Sequence, residues 1–222
     1  MRKRITLSVA FAVIACLDSH VVAAGQAQPA PLSLEPLKGG VYWVKGGSGA
    51  NAGVIIGRKE VVVIDAKMTA DSARAMLGEI QKLTPNSLRY IVLTHSDGDH
   101  VNGLSAFPKG VAIVAHTNTQ RDMEEAFKDP KMAALQPYLL TETLSGDRRL
   151  KIDGVRVELL YFGPAHTSGD LVVYLPQQRI AFVGDLAFVG RDPLIHRRKG
   201  GTSFGLAQYL KKILALDADT FI

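Results

Sequence analysis

The chain has almost no cysteine. Among 222 residues the only one is Cys16, which falls in the N-terminal leader described below. A folded domain without cysteine holds no disulfide, so packing, with or without a bound metal, must keep it together. The same lack excludes a cysteine-based structural zinc knuckle. Long apolar runs are missing as well: the best candidate, Ile5 to Leu17, is ended by Asp18 and His20 and is too short to span a bilayer. Strong charge of one sign is also absent. The formal net charge of +5 falls to +3 when the leader's Arg2, Lys3, Arg4 and Asp18 are set aside, too mild a surplus to indicate a nucleic-acid partner. Nothing in the chain reads as a flavin domain or a second cofactor motif.

What is present fits a single domain with a full core, since 47% of the residues are hydrophobic. Residues 1–27 have the three parts of a secretory signal: basic Arg2-Lys3-Arg4, the apolar stretch, then small residues through Ala27. They predict export from a bacterial cytoplasm to the periplasm or the medium. Val13-Ile14-Ala15-Cys16 is also similar to a lipobox, the alternative being a lipid anchor at Cys16. Residues 28–40, which open on Ala, Gln and Pro, read as a flexible lead-in, and the domain occupies 41–222.

Within it, Val41 to Val44, Gly53 to Ile56 and Val61 to Ile64 are close-spaced strands, which implies antiparallel hairpins. Thr69-Ala70-Asp71 opens an amphipathic helix to about Leu83. Tyr90 to Leu93 and Val111 to Ala115 read as buried strands, and a polar helix follows from about Asn118 to Lys128. Lys131 to Asp147 shows no period and suits a lid over a site. Strands at Val155 to Phe162, Leu171 to Leu175 and Arg179 to Val183 precede a helix from about Phe204 to Leu216. Strands grouped ahead of a helix, twice over, suggest two facing sheets with helices outside, an α+β class.

Chemistry concentrates where Tyr90 to Leu93 runs into Thr94-His95-Ser96-Asp97-Gly98-Asp99-His100. Imidazoles and carboxylates at alternating positions, on a loop at the carboxyl end of a strand, suit zinc, iron or manganese. Gly98 is expected to let this loop fold back so that side chains two apart converge. A polar turn capped by Asp97 and Asp99 would have no need of two histidines. His116 ends a strand and reads as a supporting or surface residue. His196, among Arg197, Arg198 and Lys199, could swing in as a ligand, but its basic neighbours oppose a cation there and it reads as part of a solvated loop, whose cations could instead draw an anionic substrate to the mouth of the site.

The segment His95-x-Asp97-x-Asp99-His100 resembles the His-x-His-x-Asp-His motif of the metallo-β-lactamase superfamily, with Asp97 in the place of the second His. Gly163-Pro164-Ala165-His166-Thr167-Ser168-Gly169 is similar to that family's Gly-x-x-His-Thr-x-Gly segment, and Gly184-Asp185 to its Gly-Asp. The resemblance covers about Val41 to the last residue. It implies a four-layer αββα sandwich and two metal ions, zinc by default. His95, Asp97 and His166 would hold the first, Asp99 and His100 the second, and Asp185 would bridge them, with Asp99 also orienting water or taking its proton. Asp65, which could equally cap the next helix, would buttress the metal loop.

Two ions about 3.5–4 Å apart, lowering the pKa of water to roughly 7, supply a nucleophile at neutral pH. The implied activity is hydrolysis of an ester, thioester, amide (a β-lactam included) or phosphoester bond in a small molecule. Asp97 exchanges a nitrogen for a hard oxygen, which favours iron or manganese and gives the alternative of a non-haem iron redox enzyme. The family's last ligand, a His in a Gly-His-Gly turn after a final strand, has no counterpart before the chain stops at Thr220-Phe221-Ile222. That implies a last strand cut short, and with it the further alternative of a non-catalytic relative.

Overall fold

The computed structural model describes residues 29–152 and 154–222; the leader, its cleavage site and Cys16 lie outside the described residues. Strands β1 (Ser33–Pro36), β2 (Val41–Lys45), β3 (Ala52–Ile56) and β4 (Glu60–Ile64) precede helix α1 (Ala70–Leu83) and strand β5 (Ser87–Val92). A single turn of helix, α2 (Gly98–Val101), then leads through a 3-10 segment to β6 (Ala112–His116), α3 (Thr117–Ala126) and β7 (Glu142–Leu144). The second half holds β8 (Arg148–Ile152), β9 (Val155–Leu160), β10 (Val172–Leu175), β11 (Ile180–Phe182), α4 (Ser203–Leu214) and β12 (Thr220–Phe221).

One sheet runs β1 to β7 in chain order and the other runs β12-β11-β10-β9-β8. The short turns of the first half give the antiparallel hairpins β2–β3 and β3–β4, while the crossover through α1 makes β4 and β5 parallel. Alternation of side chains sorts the strands between layers. In β4, Val62 and Ile64 face the second sheet, and Val61 and Val63 face the helices. In β10, Val173 and Leu175 face the first sheet, whereas Val172 and Tyr174 lie under α4. Three apolar layers thus alternate with four of backbone, the αββα sandwich. Each fully buried Val or Ile in them contributes about 1.5–3 kcal/mol.

α1 starts where Thr69 accepts a hydrogen bond from the Ser72 amide, and it buries Ala73, Met76 and Ile80 against the first sheet. Among the described residues no helix is long and apolar enough to cross a membrane.

Two expectations are corrected. Part of the lead-in is strand β1, paired antiparallel with β2; Leu32 and Leu34 pack on the outer core, and Pro36 is tolerated at the end of an edge strand. Residues 131–147 form no lid. Leu135 and Tyr138 are buried in the outer core, the Tyr138 hydroxyl donates to the Phe107 carbonyl at 3.0 Å, and Glu142–Leu144 closes the sheet as β7.

Candidate metal centre

The loop after β5 is positioned from beneath by Asp65, at the end of β4. One Asp65 carboxylate oxygen accepts from the Thr94 amide at 2.8 Å; the other takes the Thr94 hydroxyl at 2.8 Å and His100 Nδ1 at 2.7 Å. Asp65 is therefore the buttress and not a helix cap. It adopts a left-handed backbone with φ of 61°, a conformation that Asp tolerates better than most residues and that often marks functional sites. A carboxylate on Nδ1 fixes the His100 ring and leaves Nε2 for a cation. Gly98 does not supply the fold-back: it opens α2, and the turn of helix stacks Asp97, Asp99 and His100 by its own geometry.

His166 arrives from the second sheet, on the loop between β9 and β10. Asp170 locks that loop, accepting from the Thr167 amide at 2.8 Å and the Thr167 hydroxyl at 2.7 Å, and the Leu194 carbonyl lies 2.8 Å from His166 Nδ1. Gly184 permits the approach of Asp185, having φ of 54° and a position where a Cβ would lie 2.7 Å from the Thr94 hydroxyl. Helix α4 abuts the His166 loop through Gly205, where a Cβ would meet the Pro164 carbonyl oxygen at 1.8 Å. Gly205→Ala is expected to cost about 1–3 kcal/mol, the range for overpacking, despite the better helix propensity of Ala; thermal unfolding checks it.

All six residues expected to bind metal meet at one place. Donor atoms of His95, Asp97, His166 and Asp185 form one group and those of Asp99, His100 and Asp185 another, each within 4.8 Å. Asp185 belongs to both, the position of a bridge. Its oxygens lie 3.1 Å from His100 Nε2 and 3.9 Å from His166 Nε2. His95, Asp97, His100 and His166 are buried, and Asp99 is the most open of the set.

His95 Nε2 decides whether a metal fits. It is buried among these donors without a hydrogen-bond partner, an arrangement that is costly unless a ligand satisfies it. The donor set of imidazoles and carboxylates suits zinc, iron or manganese.

Electrostatics support the same reading. Burial opposes charge on His100, but Asp65 and Asp185 override it and push its pKa up to about 10. Burial holds the His95 pKa down, with His100 adding to the effect. Asp97 and Asp185 resist the upward push of burial and stay below the usual carboxylate range, Asp97 through His166, His95 and Lys199, and Asp185 through His100.

Two residues near Asp97 were read otherwise in the sequence. The loop that carries His196 is solvated, with Arg197 and Arg198 exposed, but the His196 ring turns inward and its Nε2 sits 2.7 Å from Asp97 Oδ2. Lys199 does not stand free at the mouth, because its ammonium bonds Asp97 Oδ1 at 2.7 Å and the Ser96 carbonyl and hydroxyl at 3.1 Å. His116 is neither ligand nor surface residue. It is buried, stacks on Tyr161 and accepts from the Asn118 amide at the start of α3.

A cleft of about 320 Å³ opens over the second donor group, between Gly49 to Ala52 on one side and Ala187, Phe188 and Arg191 on the other. Lys67, fully buried, pins its near wall by donating to the Ala50 carbonyl at 2.5 Å. Arg191 stands on the far wall with its guanidinium 4.0 Å from the Phe188 ring centre.

Comparison with known proteins gives the following. Residues 46–222 match the metallo-beta-lactamase superfamily. The chain is 30% identical over 162 residues to the 2,4-dinitroanisole O-demethylase subunit alpha of Nocardioides sp. (strain JS1661), covering 72% of this chain and 47% of that protein. It is 21% identical over 207 residues to the linear primary-alkylsulfatase of Pseudomonas sp. (strain ATCC 19151), covering 73% and 38%. It thus spans less than half the length of these two curated relatives. Among solved structures, the metallo-beta-lactamase IND-7 superposes with a TM-score of 0.72 at 20% identity, over 87% of this chain and 89% of that one. A double mutant of the sec-alkyl sulfatase PisA1 gives 0.69 at 20%, over 86% and 38%. At such identities the likeness establishes the shared sandwich fold.

Proposed function

The chain belongs to the metallo-β-lactamase superfamily, and from that premise we propose that it is an exported, metal-dependent hydrolase of small anionic molecules. The observation that carries the reading is the pair of donor groups joined at Asp185. His95, Asp97, His166, Asp185, Asp99 and His100 would hold the ions, which when bound would supply a water-derived nucleophile at neutral pH and polarise the bond under attack; zinc is the default, with iron or manganese favoured by the Asp97 oxygen. The protein's own groups do the rest. Arg191 on the cleft wall pairs with an anionic substrate group. Asp99, on the cleft and partly open to water, is placed to accept a proton from water or pass one to the leaving group. The Phe188 face and the Ala50 and Ala52 side of the cleft exclude water around the substrate's apolar part.

The bond is an ester, thioester, amide or phosphoester. The two curated relatives are named for dinitroanisole and for alkyl sulfates, substrates that release a stabilised oxyanion. Their names support adding sulfate esters and activated aryl ethers to the range. The test is release of product from p-nitrophenyl sulfate, phosphate and acetate, 2,4-dinitroanisole and nitrocefin. Turnover of at least one, lost on dialysis against chelator and restored by zinc or manganese, is expected. No turnover by metal-loaded protein would overturn the hydrolase reading. The Asp97 oxygen also motivates the second reading, a non-haem iron redox enzyme, which predicts oxygen consumption by the iron-loaded form. Export predicts a mature chain starting close to Gln28 in the periplasmic fraction, read by mass spectrometry of the N-terminus.

A further inference from the structure

His196 stands outside both donor groups, yet its imidazole points into the first. Three Nε2 atoms from separate segments converge on one oxygen, Asp97 Oδ2: His196 at 2.7 Å, His166 at 3.1 Å and His95 at 3.6 Å. The rings are disposed around that point, not stacked past it. His166 is edge-on to His95 with centroids 4.8 Å apart, and tilted 74° to His196 at 4.9 Å. Three imidazole nitrogens gathered around one carboxylate oxygen are the donor set that a cation bound by three imidazoles would need, once it replaces the protons of the hydrogen bonds to Oδ2.

The placement of His196 is built into the backbone. Its amide donates to the His166 carbonyl at 2.8 Å, and the Gly201 amide returns to the His196 carbonyl at 3.0 Å. Around it, the Ser168 amide bonds the Lys199 carbonyl and the Thr202 amide bonds the Ala165 carbonyl, both at 2.8 Å. Residues 196–202 are thus laced to the loop that carries His166. Gly201 lets them lie close, since a Cβ there would meet the His166 carbonyl oxygen at 2.1 Å. Lys199 holds the other Asp97 oxygen at 2.7 Å, so the carboxylate already has a partner if Oδ2 is given up to a metal.

We propose that His196 is a metal ligand. It supplies from a distant loop the third imidazole that the loop after β5 lacks at Asp97, so the first ion is held by His95, His166 and His196 beside Asp97 and Asp185. The inference rests on the dinuclear reading above but makes a separate claim. It also bears on metal identity: a third nitrogen shifts the first site back toward zinc, against the preference that Asp97 alone implies.

The test is proton NMR of the full-length protein loaded with cobalt(II), with histidine labelled with nitrogen-15 and His196→Gln used to assign its signals. A ligating imidazole shows strongly hyperfine-shifted ring signals. The expected result is that the wild-type protein shows one shifted imidazole more than the variant, and that the variant holds its first ion at least tenfold more weakly by chelator competition. A His196 ring with ordinary shifts in a protein carrying its full cobalt complement would overturn the proposal while leaving the dinuclear reading intact; it would make His196 a residue that merely positions Asp97 by a hydrogen bond. Glutamine can donate that bond, so a variant retaining wild-type metal affinity would overturn the proposal too. A wild-type protein that binds no cobalt would instead remove the reading on which the inference rests.

Discussion

His95→Ala is expected to abolish hydrolysis, lowering the rate by about three orders of magnitude or more, the equivalent of several kcal/mol of lost transition-state stabilisation. The residue is suited to such a large effect because its Nε2 faces only the donor group, while its Nδ1 meets a single protein group, the Thr94 hydroxyl at 3.0 Å. Its Nε2 is buried without a hydrogen-bond partner, so its removal breaks no hydrogen bond at that atom. A purely structural histidine would behave in the opposite way. The metal-free variant should therefore unfold within a few degrees of the metal-free wild type, whereas zinc should raise the melting temperature of the wild type more than that of the variant, which keeps only the second donor group. At a free metal concentration 100 times the dissociation constant, that stabilisation is about 2.7 kcal/mol. Differential scanning calorimetry with and without zinc, alongside the rate measurement, checks both halves. A variant that keeps its activity would remove His95 from the centre.

Asp65→Asn is expected to do what His95→Ala does not, namely destabilise the fold. Asp65 is buried and accepts from the Thr94 amide, the Thr94 hydroxyl and His100. Asparagine tolerates the left-handed backbone at this position, so the change isolates the loss of the acceptor and its charge from backbone strain. Breaking a buried charged network by removing one partner costs about 3–5 kcal/mol, which for a domain of this size lowers the melting temperature by roughly 10 °C. Metal affinity should fall as well, by about 10–100-fold, because the carboxylate that orients His100 is lost. Asp65→Ala should be worse, since it adds strain at a φ of 61°. An unchanged melting temperature in Asp65→Asn would show that the buttress carries no energy.

How much of this was legible depended on whether a residue's neighbours in sequence are also its neighbours in space. His95, Asp97, Asp99 and His100 fall within six residues that run from the loop after β5 into α2, and His166 and Asp185 each sit on a polar loop just past an apolar strand. Their motifs therefore survive reading as a string, and so does the pair of facing sheets, which follows from strands grouped ahead of a helix twice over. His196 was legible only as a ligand that its basic neighbours argued against. Its neighbours Arg197, Arg198 and Lys199 give it the composition of a solvated loop, and only backbone bonds to the His166 loop, some thirty residues away, turn it inward. Residues 131–147 failed for a related reason: Leu135 and Tyr138 face a core whose other walls are α1 and β6, and no local period records it. β1 was hidden by its shortness and its Pro36. β8 was missed although it alternates, because Leu150 and Ile152 are two apolar residues in a charged segment.

The account turns on one property, two donor groups that share Asp185, and metal stoichiometry tests it most directly. Zinc titrated into the metal-free protein, followed by calorimetry and checked by elemental mass spectrometry after gel filtration, should saturate at two ions per chain. Asp185→Asn should weaken both binding steps, because the shared carboxylate contributes to each. Wild-type protein that retains no ion after gel filtration would contradict the account, since the buried His95 Nε2 and the converging carboxylates would then have no cation to serve.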